Sequence, residues 1–286
     1  MQGIAGQDHF IEASVIELYP ASGIRHQLQG LYLRQALETG KPQDSPFIYC
    51  NFISSLDGRI ALPGPGRNSH QVPPAIANSR DWRLFQELAA QADLLITSAR
   101  YFRQSEEQEA QAELPVGVSA EFDDLRAWRI EQGLSPQPDI AFFSASLDVP
   151  VSAINRYRDR NVFLITGSAA DPEKLEQITA ESHTRVISCG HDGHVDASLL
   201  RSKLNELGYQ RVYAIAGPAV LHTLIQGKAL DRLYHTTAHC LLGGTKFDTF
   251  VWGSKFDPAV CMPLRTMYLD THAPDGASQT LAVYGR

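Results

Sequence analysis

The sequence has little cysteine: four in 286 residues, at positions 50, 189, 240 and 261, with no C-x-x-C among them. That excludes a disulfide scaffold and reads as reduced thiols in a cytoplasmic protein. Long apolar runs are missing as well. Leu94–Thr97 and Val162–Thr166 are strand-sized, far short of the ~20 residues a membrane-spanning helix needs. Basic charge is not in excess. Lys and Arg number 25 against 32 Asp and Glu, a net charge of -7, so no general attraction to nucleic acid or anionic lipid is expected. A local basic pocket for one phosphate remains allowed. The first fifteen residues carry neither a basic nor an apolar leader pattern, so no secretory signal is expected. There is no G-x-G-x-x-G, no Walker sequence and no G-x-S-x-G elbow, and no H-x-E is followed by P-C-x-x-C. His191 with His194, and His235 with His239 beside Cys240, lack a second pair at zinc-like spacing, so no metal is expected.

What is present is globular: 43% apolar and 20% charged residues, enough for a sizeable core. Residues 1–45 read as an N-terminal appendage. Within it Ile24, Leu28, Leu31 and Leu37 follow helical spacing and predict a short helix near 24–38. Residues 46–286 form the main domain. Phe47–Ile53 reads as a buried strand. Residues 62–75 hold four prolines and two glycines and read as a long binding loop or lid. Asn78 or Ser79 caps a helix through Trp82, Leu84 and Leu88. Residues 104–113 are acidic and solvated. Strands are then expected at 94–97, 140–144, 162–166, 185–189, 211–216 and 232–241. Between them lie helices opened by Asp171-Pro172, by Asp196 (ending at Gly208) and near Ala219. The chain ends in further β structure with a hairpin. Strands alternating with helices imply a largely parallel sheet covered on both faces, with ligands at the carboxyl ends of the strands.

After Ile53 stands Ser54-Ser55-Leu56-Asp57-Gly58-Arg59. A carboxylate, a hydroxyl and a guanidinium here can hold a ligand's N–H, hydroxyl or phosphate groups. The same Leu-Asp-Gly also makes a plain turn with an Asx bond. After Thr97 stands Ser98-Ala99-Arg100-Tyr101-Phe102-Arg103, either an anion site at a helix start or a capped helix with surface arginines. Thr166-Gly167 and Gly217-Pro218 are two further small-residue turns.

Together these turns resemble the reductase domain of the riboflavin-biosynthesis deaminase/reductase family, the RibD C-terminal domain. Three stretches carry the resemblance. They are Asn51-FISSLDGRIA, Trp82-RLFQELAAQADLLITSARYFR and Tyr213-AIAGPAVLHTLIQGKALDRLYHTTAHCLLGG, within residues 47 to about 245. The resemblance implies a dihydrofolate reductase-like α/β fold with a mostly parallel sheet and a C-terminal antiparallel hairpin. It implies NADPH as cofactor, a phosphoribosylamino-pyrimidine as substrate reduced to its ribityl form, and a homodimer. Carried over by position, Asp57 would be catalytic, orienting substrate and relaying a proton. Asn51, Ser55, Gly58, Arg59 and Arg67 would bind substrate, the two arginines gripping its phosphate. Asn51 stands where many members have lysine. Ser98, Ala99, Arg100, Tyr101 and Arg103 would line the cofactor, with Thr166 and Gly167 beside its adenosine half and Gly217, Pro218 and Leu221 at the third turn. The loop at 62–74 would close the site.

The departures are Ala216-Gly217-Pro218 in place of the family's Glu-Gly-Gly, and Tyr101-Phe102-Arg103 in place of Thr-Val-Arg. The deaminase half has no counterpart in these motifs, so deamination would need another protein. Two alternatives stand beside the reading: the same fold reducing another heterocycle, and a non-catalytic nucleotide-binding homologue.

Overall fold

The computed structural model describes residues 13–35, 37, 45–64, 70–106, 113–190, 192–273 and 277–285. Arg67, His191, most of the acidic 104–113 stretch and the middle of the proposed lid lie outside the described residues. Strands in chain order are β1 (Ser14–Tyr19), β2 (Arg25–Gln27), β3 (Phe47–Ser55), β4 (Leu62–Pro63), β5 (His70–Gln71), β6 (Leu94–Ser98), β7 (Asp139–Phe143), β8 (Val162–Thr166), β9 (Thr184–Ser188), β10 (Arg211–Ala214), β11 (Arg232–Ala238), β12 (Leu264–Asp270) and β13 (Gln279–Gly285). Helices are α1 (Ser79–Gln91), α2 (Ala99–Glu106), α3 (Asp123–Glu131), α4 (Val151–Ile154), α5 (Pro172–Glu181), α6 (Ala197–Glu206) and α7 (Pro218–Gln226).

Eleven strands make one sheet in the order β2-β1-β12-β13-β11-β3-β10-β6-β7-β8-β9. From β11 to β9 every pairing is parallel. From β11 outward through β13, β12, β1 and β2 every pairing is antiparallel. This is the mostly parallel α/β architecture, with a C-terminal antiparallel hairpin, that the motif order implied. The parallel strands read as continuous apolar runs because both faces are covered. Val162-Phe-Leu-Ile-Thr166 is buried throughout.

Side chains alternate between two cores. On one face Tyr49 donates its hydroxyl to the Leu88 carbonyl of α1 over 2.7 Å. On the other, Ile48, Cys50 and Phe52 share a core with Leu200 and Leu204 of α6 and with Leu221 and Leu224 of α7. Each fully buried Leu or Phe contributes roughly 1.5–3 kcal/mol. The helix boundaries follow local chemistry. Asn78 accepts from Asp81 N, Asp171 from Glu173 N and Lys174 N, and Asp196 from Ser198 N. Gly208 ends the α6 segment in the left-handed region, φ +87.

The helix expected near 24–38 is not there. Residues 25–27 are a strand and 28–35 a run of turns. Gly30 breaks the helix at φ +77. Buried Glu87 of α1 accepts from the amides of Gly30 and, at 3.0 Å, Tyr32. Leu28 and Leu31 have helical spacing but are buried by this tertiary docking. The segment read as an appendage thus supplies β1 and β2 to the main sheet. Part of the proline- and glycine-rich loop is also regular: β4 and β5 pair as a small ribbon.

Candidate active site

The α1 face of the sheet opens to solvent toward the carboxyl ends of its central strands. Asn51 and Ile53 of β3 share the α1 face with Tyr49, and Ile215 follows β10 on the same face. Tyr49 is fully buried, yet these three are only partly buried. In register, Ile53 lies opposite Thr236 of β11, and Ser55 opposite Ala238. The gap is therefore at the carboxyl ends of β11, β3 and β10, beneath the first turn of α1.

Asp81 sits above it. The Asn78 side chain caps α1, and Asp81 N donates to Asn78 Oδ1 at 2.9 Å. Thr236 donates its hydroxyl to Asp81 Oδ1 at 2.6 Å. Asp81 Oδ2 has no hydrogen-bond partner among the described residues. Burial pushes the carboxyl up to about 6, against which the Thr236 bond acts in the opposite direction. A carboxyl in that range both donates and accepts a proton near neutral pH. Sequence reasoning missed it, because an acid in the first turn of a helix is explained by the helix dipole alone. Its available signal was the three-residue spacing from the Asn78 cap.

Next to Asp81 on α1 stand the aromatic side chains of Trp82 and Phe85, both partly buried. Trp82 stacks on Phe85 at 4.8 Å, and Phe85 meets Tyr213 at 5.7 Å. Tyr213 donates its hydroxyl to Asn51 Oδ1 over 2.5 Å. That fixes the Asn51 amide and leaves its Nδ2 donors without a partner among the described residues. The opening thus offers one carboxyl, one amide donor and a ring-sized aromatic wall.

Asp57 stands at the turn after β3, and its carboxylate is fully engaged. Ser55 Oγ donates to Oδ1, Gly243 N to Oδ2 at 2.8 Å and Leu242 N to Oδ1 at 3.3 Å. Arg59 Nη1 lies 2.9 Å from Oδ2. The Ser55 hydroxyl first, then the Gly243 and Leu242 amides and the Arg59 charge, hold the acid down to about 2. Gly58 supplies the turn at φ +77. Arg59 is equally occupied. Nε donates to the Gly243 carbonyl at 2.6 Å, Nη1 to the Asp57 carbonyl at 2.6 Å, and the guanidinium lies over the Phe247 ring at 4.3 Å. Ser55, Asp57, Gly58 and Arg59 are therefore brought together as a clamp on the 240–247 loop.

The turns named for the cofactor divide. The turn after β10 adjoins β3 in the sheet, and the turn after β6 lies one strand further out. Ser98 is partly exposed and Arg100 exposed, the Arg100 Nη1 lying 3.9 Å from Asp248. Gly217 is exposed, and a Cβ added to it would meet nothing within 4 Å. Beside it Pro218 occupies the first position of α7. An open glycine after β10 and an exposed arginine after the neighbouring β6 fit the backbone approach and phosphate charge of a dinucleotide. Ala99 is buried. Tyr101 exchanges a hydroxyl bond with Tyr157 at 2.9 Å, and Arg103 donates to the Asp148 carbonyl. Leu221 belongs to the core. Thr166 is buried, and Gly167 is covered by its own chain, where a Cβ would lie 2.8 Å from Gly193 C and His194 N. Tyr101, Arg103, Leu221, Thr166 and Gly167 thus shape the scaffold.

Among the described residues no helix is long and apolar enough to cross a membrane. The sequence model of the RibD C-terminal domain matches residues 46–272. No curated protein sequence matches the chain. Its fold resembles a pyrimidine reductase-like protein of Corynebacterium diphtheriae at TM-score 0.60 and 17% identity, covering 88% of this chain and 97% of that one. It resembles the riboflavin biosynthesis reductase Rib7 of Saccharomyces cerevisiae at TM-score 0.55 and 14% identity, covering 90% and 97%. It also resembles RibD of Acinetobacter baumannii at TM-score 0.54 and 14% identity, covering 85% of this chain but 58% of that protein. These likenesses are of fold.

Proposed function

This chain belongs to the RibD C-terminal domain family, and from that premise we propose that it is an NADPH-dependent reductase that converts a phosphoribosylamino-pyrimidine to its ribityl form. The observation that carries the reading is the opening under α1. A carboxyl poised near neutrality and an unpartnered amide donor face a gap flanked by an aromatic wall. A pyrimidine bearing ring N–H or amino groups beside a carbonyl complements that pair: its donors meet Asp81 and its acceptor meets the Asn51 Nδ2. The open Gly217 and exposed Arg100 on neighbouring strands are where NADPH would be held.

Bound NADPH would supply the hydride. The chain's own residues do the rest. Asp81 Oδ1 keeps a lone pair for the heterocycle's donors, and a protonated Oδ2 would supply the proton of the reduction: hydride adds at the ribose C1′, the C1′–O4′ bond breaks, and the leaving O4′ takes the proton. Asn51, locked by Tyr213, fixes the ring's orientation. Trp82 and Phe85 exclude water from one side. Asp57 does not relay a proton in this reading. Held down to about 2, it is ionised at neutral pH and its oxygens are engaged. We assign it to positioning the 240–247 loop.

Titration of the purified protein with NADPH and NADH, then turnover with 5-amino-6-(5-phosphoribosylamino)uracil, tests the proposal. NADPH-selective binding and substrate-dependent oxidation of NADPH support it; binding of neither nucleotide sinks it. One observation favours the second reading, an unphosphorylated heterocycle as substrate. The Arg59 guanidinium expected to grip a phosphate is bound to Asp57 and Gly243 instead. Turnover of a pyrimidine lacking the phosphate, with none of the phosphorylated compound, would select it.

A further inference from the structure

The α1-facing stripe of β13 runs Gln279, Leu281, Val283, and all three are buried. Gln279 is its polar member and is fully buried, a costly placement unless every polar atom is paired. It is paired, and the pairing leads to Asp81. Asn78 Nδ2 donates to Gln279 Oε1 at 2.8 Å, and Gln279 Nε2 donates to Asp270 Oδ2 at 3.0 Å. Asp270, also fully buried, is the direct cross-strand partner of Gln279 and accepts from Arg80 Nε at 2.7 Å. The first turn of α1 is thus bolted to the antiparallel hairpin at Asn78 and at Arg80, both within the short span closed by the cap bond to Asp81.

Capping a helix requires only the Asn78 Oδ1. The Nδ2 donates locally to the Ile76 carbonyl at 3.1 Å and, across the sheet, to Gln279, whose own Nε2 reaches the capping Oδ1 at 3.5 Å, so Gln279 is the contact that ties the rotation of the helix start to a distant strand. One residue of helix is about 100° of rotation, so a small slip would carry the Asp81 carboxyl away from Thr236 and the opening. We propose that Gln279 is a positioning residue, which sets the Asp81 carboxyl over the opening through the Asn78 amide. The inference rests on the reading of Asp81 as the acid of the site. It also gives the antiparallel extension a role in the chemistry of the parallel half.

The Thr236 hydroxyl contacts Asp81, the phenols of Tyr213 and Tyr32 lie close enough for its charge to raise their acids, and the Arg80–Asp270 ion pair lies one residue back on α1. Two variants test the proposal. Gln279→Met keeps the length and removes the amide's contacts with Asn78 and Asp270. Asn78→Ser keeps an oxygen for the Asp81 amide but loses the donor to Gln279. The first readout needs no substrate: carbon-13 NMR titration of the Asp81 carboxyl, assigned by its loss in Asp81→Asn. In both variants the midpoint should fall by at least about one unit toward the ordinary carboxyl range. The second readout is turnover, where kcat should fall roughly tenfold while KM for NADPH stays unchanged. An Asp81 midpoint and kcat equal to wild type in Gln279→Met and Asn78→Ser overturn the inference. Full turnover by Asp81→Asn would instead overturn the reading of Asp81, so the two failures are distinguishable.

Discussion

Thr236 donates its hydroxyl to Asp81 Oδ1 over 2.6 Å, across 155 positions of sequence. It is the one interaction acting to lower the Asp81 acid against the burial that raises it. Replacing Thr236 by valine, of the same shape, removes the donor. The Asp81 acid should then rise above about 6. If protonated Asp81 is the working form, the alkaline limb of kcat should move to higher pH. A pH–rate profile checks this, and a limb that moves to lower pH would contradict the assignment.

Asp81 itself should trade stability for activity. Its acid lies at about 6 in the folded chain, above the ordinary 3.8. A raised folded value favours the protonated form. The stabilising effect of that proton is complete below 3.8 and lost as pH rises through about 6. Above 6 the buried charge costs on the order of 3 kcal/mol. Asp81→Asn should therefore raise Tm at pH 7 to 8, with the gain shrinking as pH falls toward 4, while turnover drops by roughly two orders of magnitude. Calorimetry across that range, beside the assay, checks both halves.

The glycines at 217 and 167 should behave oppositely. A Cβ at Gly217 meets nothing within 4 Å, whereas one at Gly167 would lie 2.8 Å from backbone atoms of Gly193 and His194. Gly217→Val, a poorer N-cap residue but without a clash, should lower Tm only slightly and weaken NADPH binding at least roughly tenfold by filling the space the nucleotide needs. Gly167→Ala should lower Tm by several degrees, since the covering loop must shift. Thermal shift and nucleotide titration on the same pair of variants separate the roles. Equal NADPH affinity in Gly217→Val would remove the nucleotide from that turn.

Asp57 should act on the loop rather than on a proton. Asp57→Ala removes the acceptor of the Gly243 and Leu242 amides and the partner of Arg59. The 240–247 segment should become open to proteases. Because the folded acid is lowered to about 2 from 3.8, its contribution is present above 3.8 and lost as pH falls toward 2. The gap in Tm between wild type and variant should therefore close in that acidic window. A gap that persists at the acid end would show that the carboxylate is not what the fold uses.

Much of the parallel half was legible along the chain, because its signals are local. Val162–Thr166 reads as a strand from its own five residues. The caps at Asn78, Asp171 and Asp196 and the Gly208 stop each act within a few positions. The turns after β3, β6 and β10 were placed correctly at one edge of the sheet, since alternating strands and helices dictate it. Arg59 shows where that reasoning ends. Its residue type suits a phosphate, but whether its donors are available depends on Gly243, 184 positions away.

The sequence by itself determined most elements of the parallel half, its parallel order and the family motifs, because helix caps, strand patterning and glycine turns are short-range chemistry. The tertiary structure alone decided three things. It turned the helix-like spacing of residues 24–38 into strand and turns, by docking Gly30 and Tyr32 on the buried Glu87 of α1. It made Asp57 an ionised clamp by closing the 242–243 amides on it. And it made Asp81 an acid near neutrality, since the burial that raises it comes from strands distant in sequence. A carboxyl's charge is set by the solvent and donors around it, and those exist only once the chain has folded.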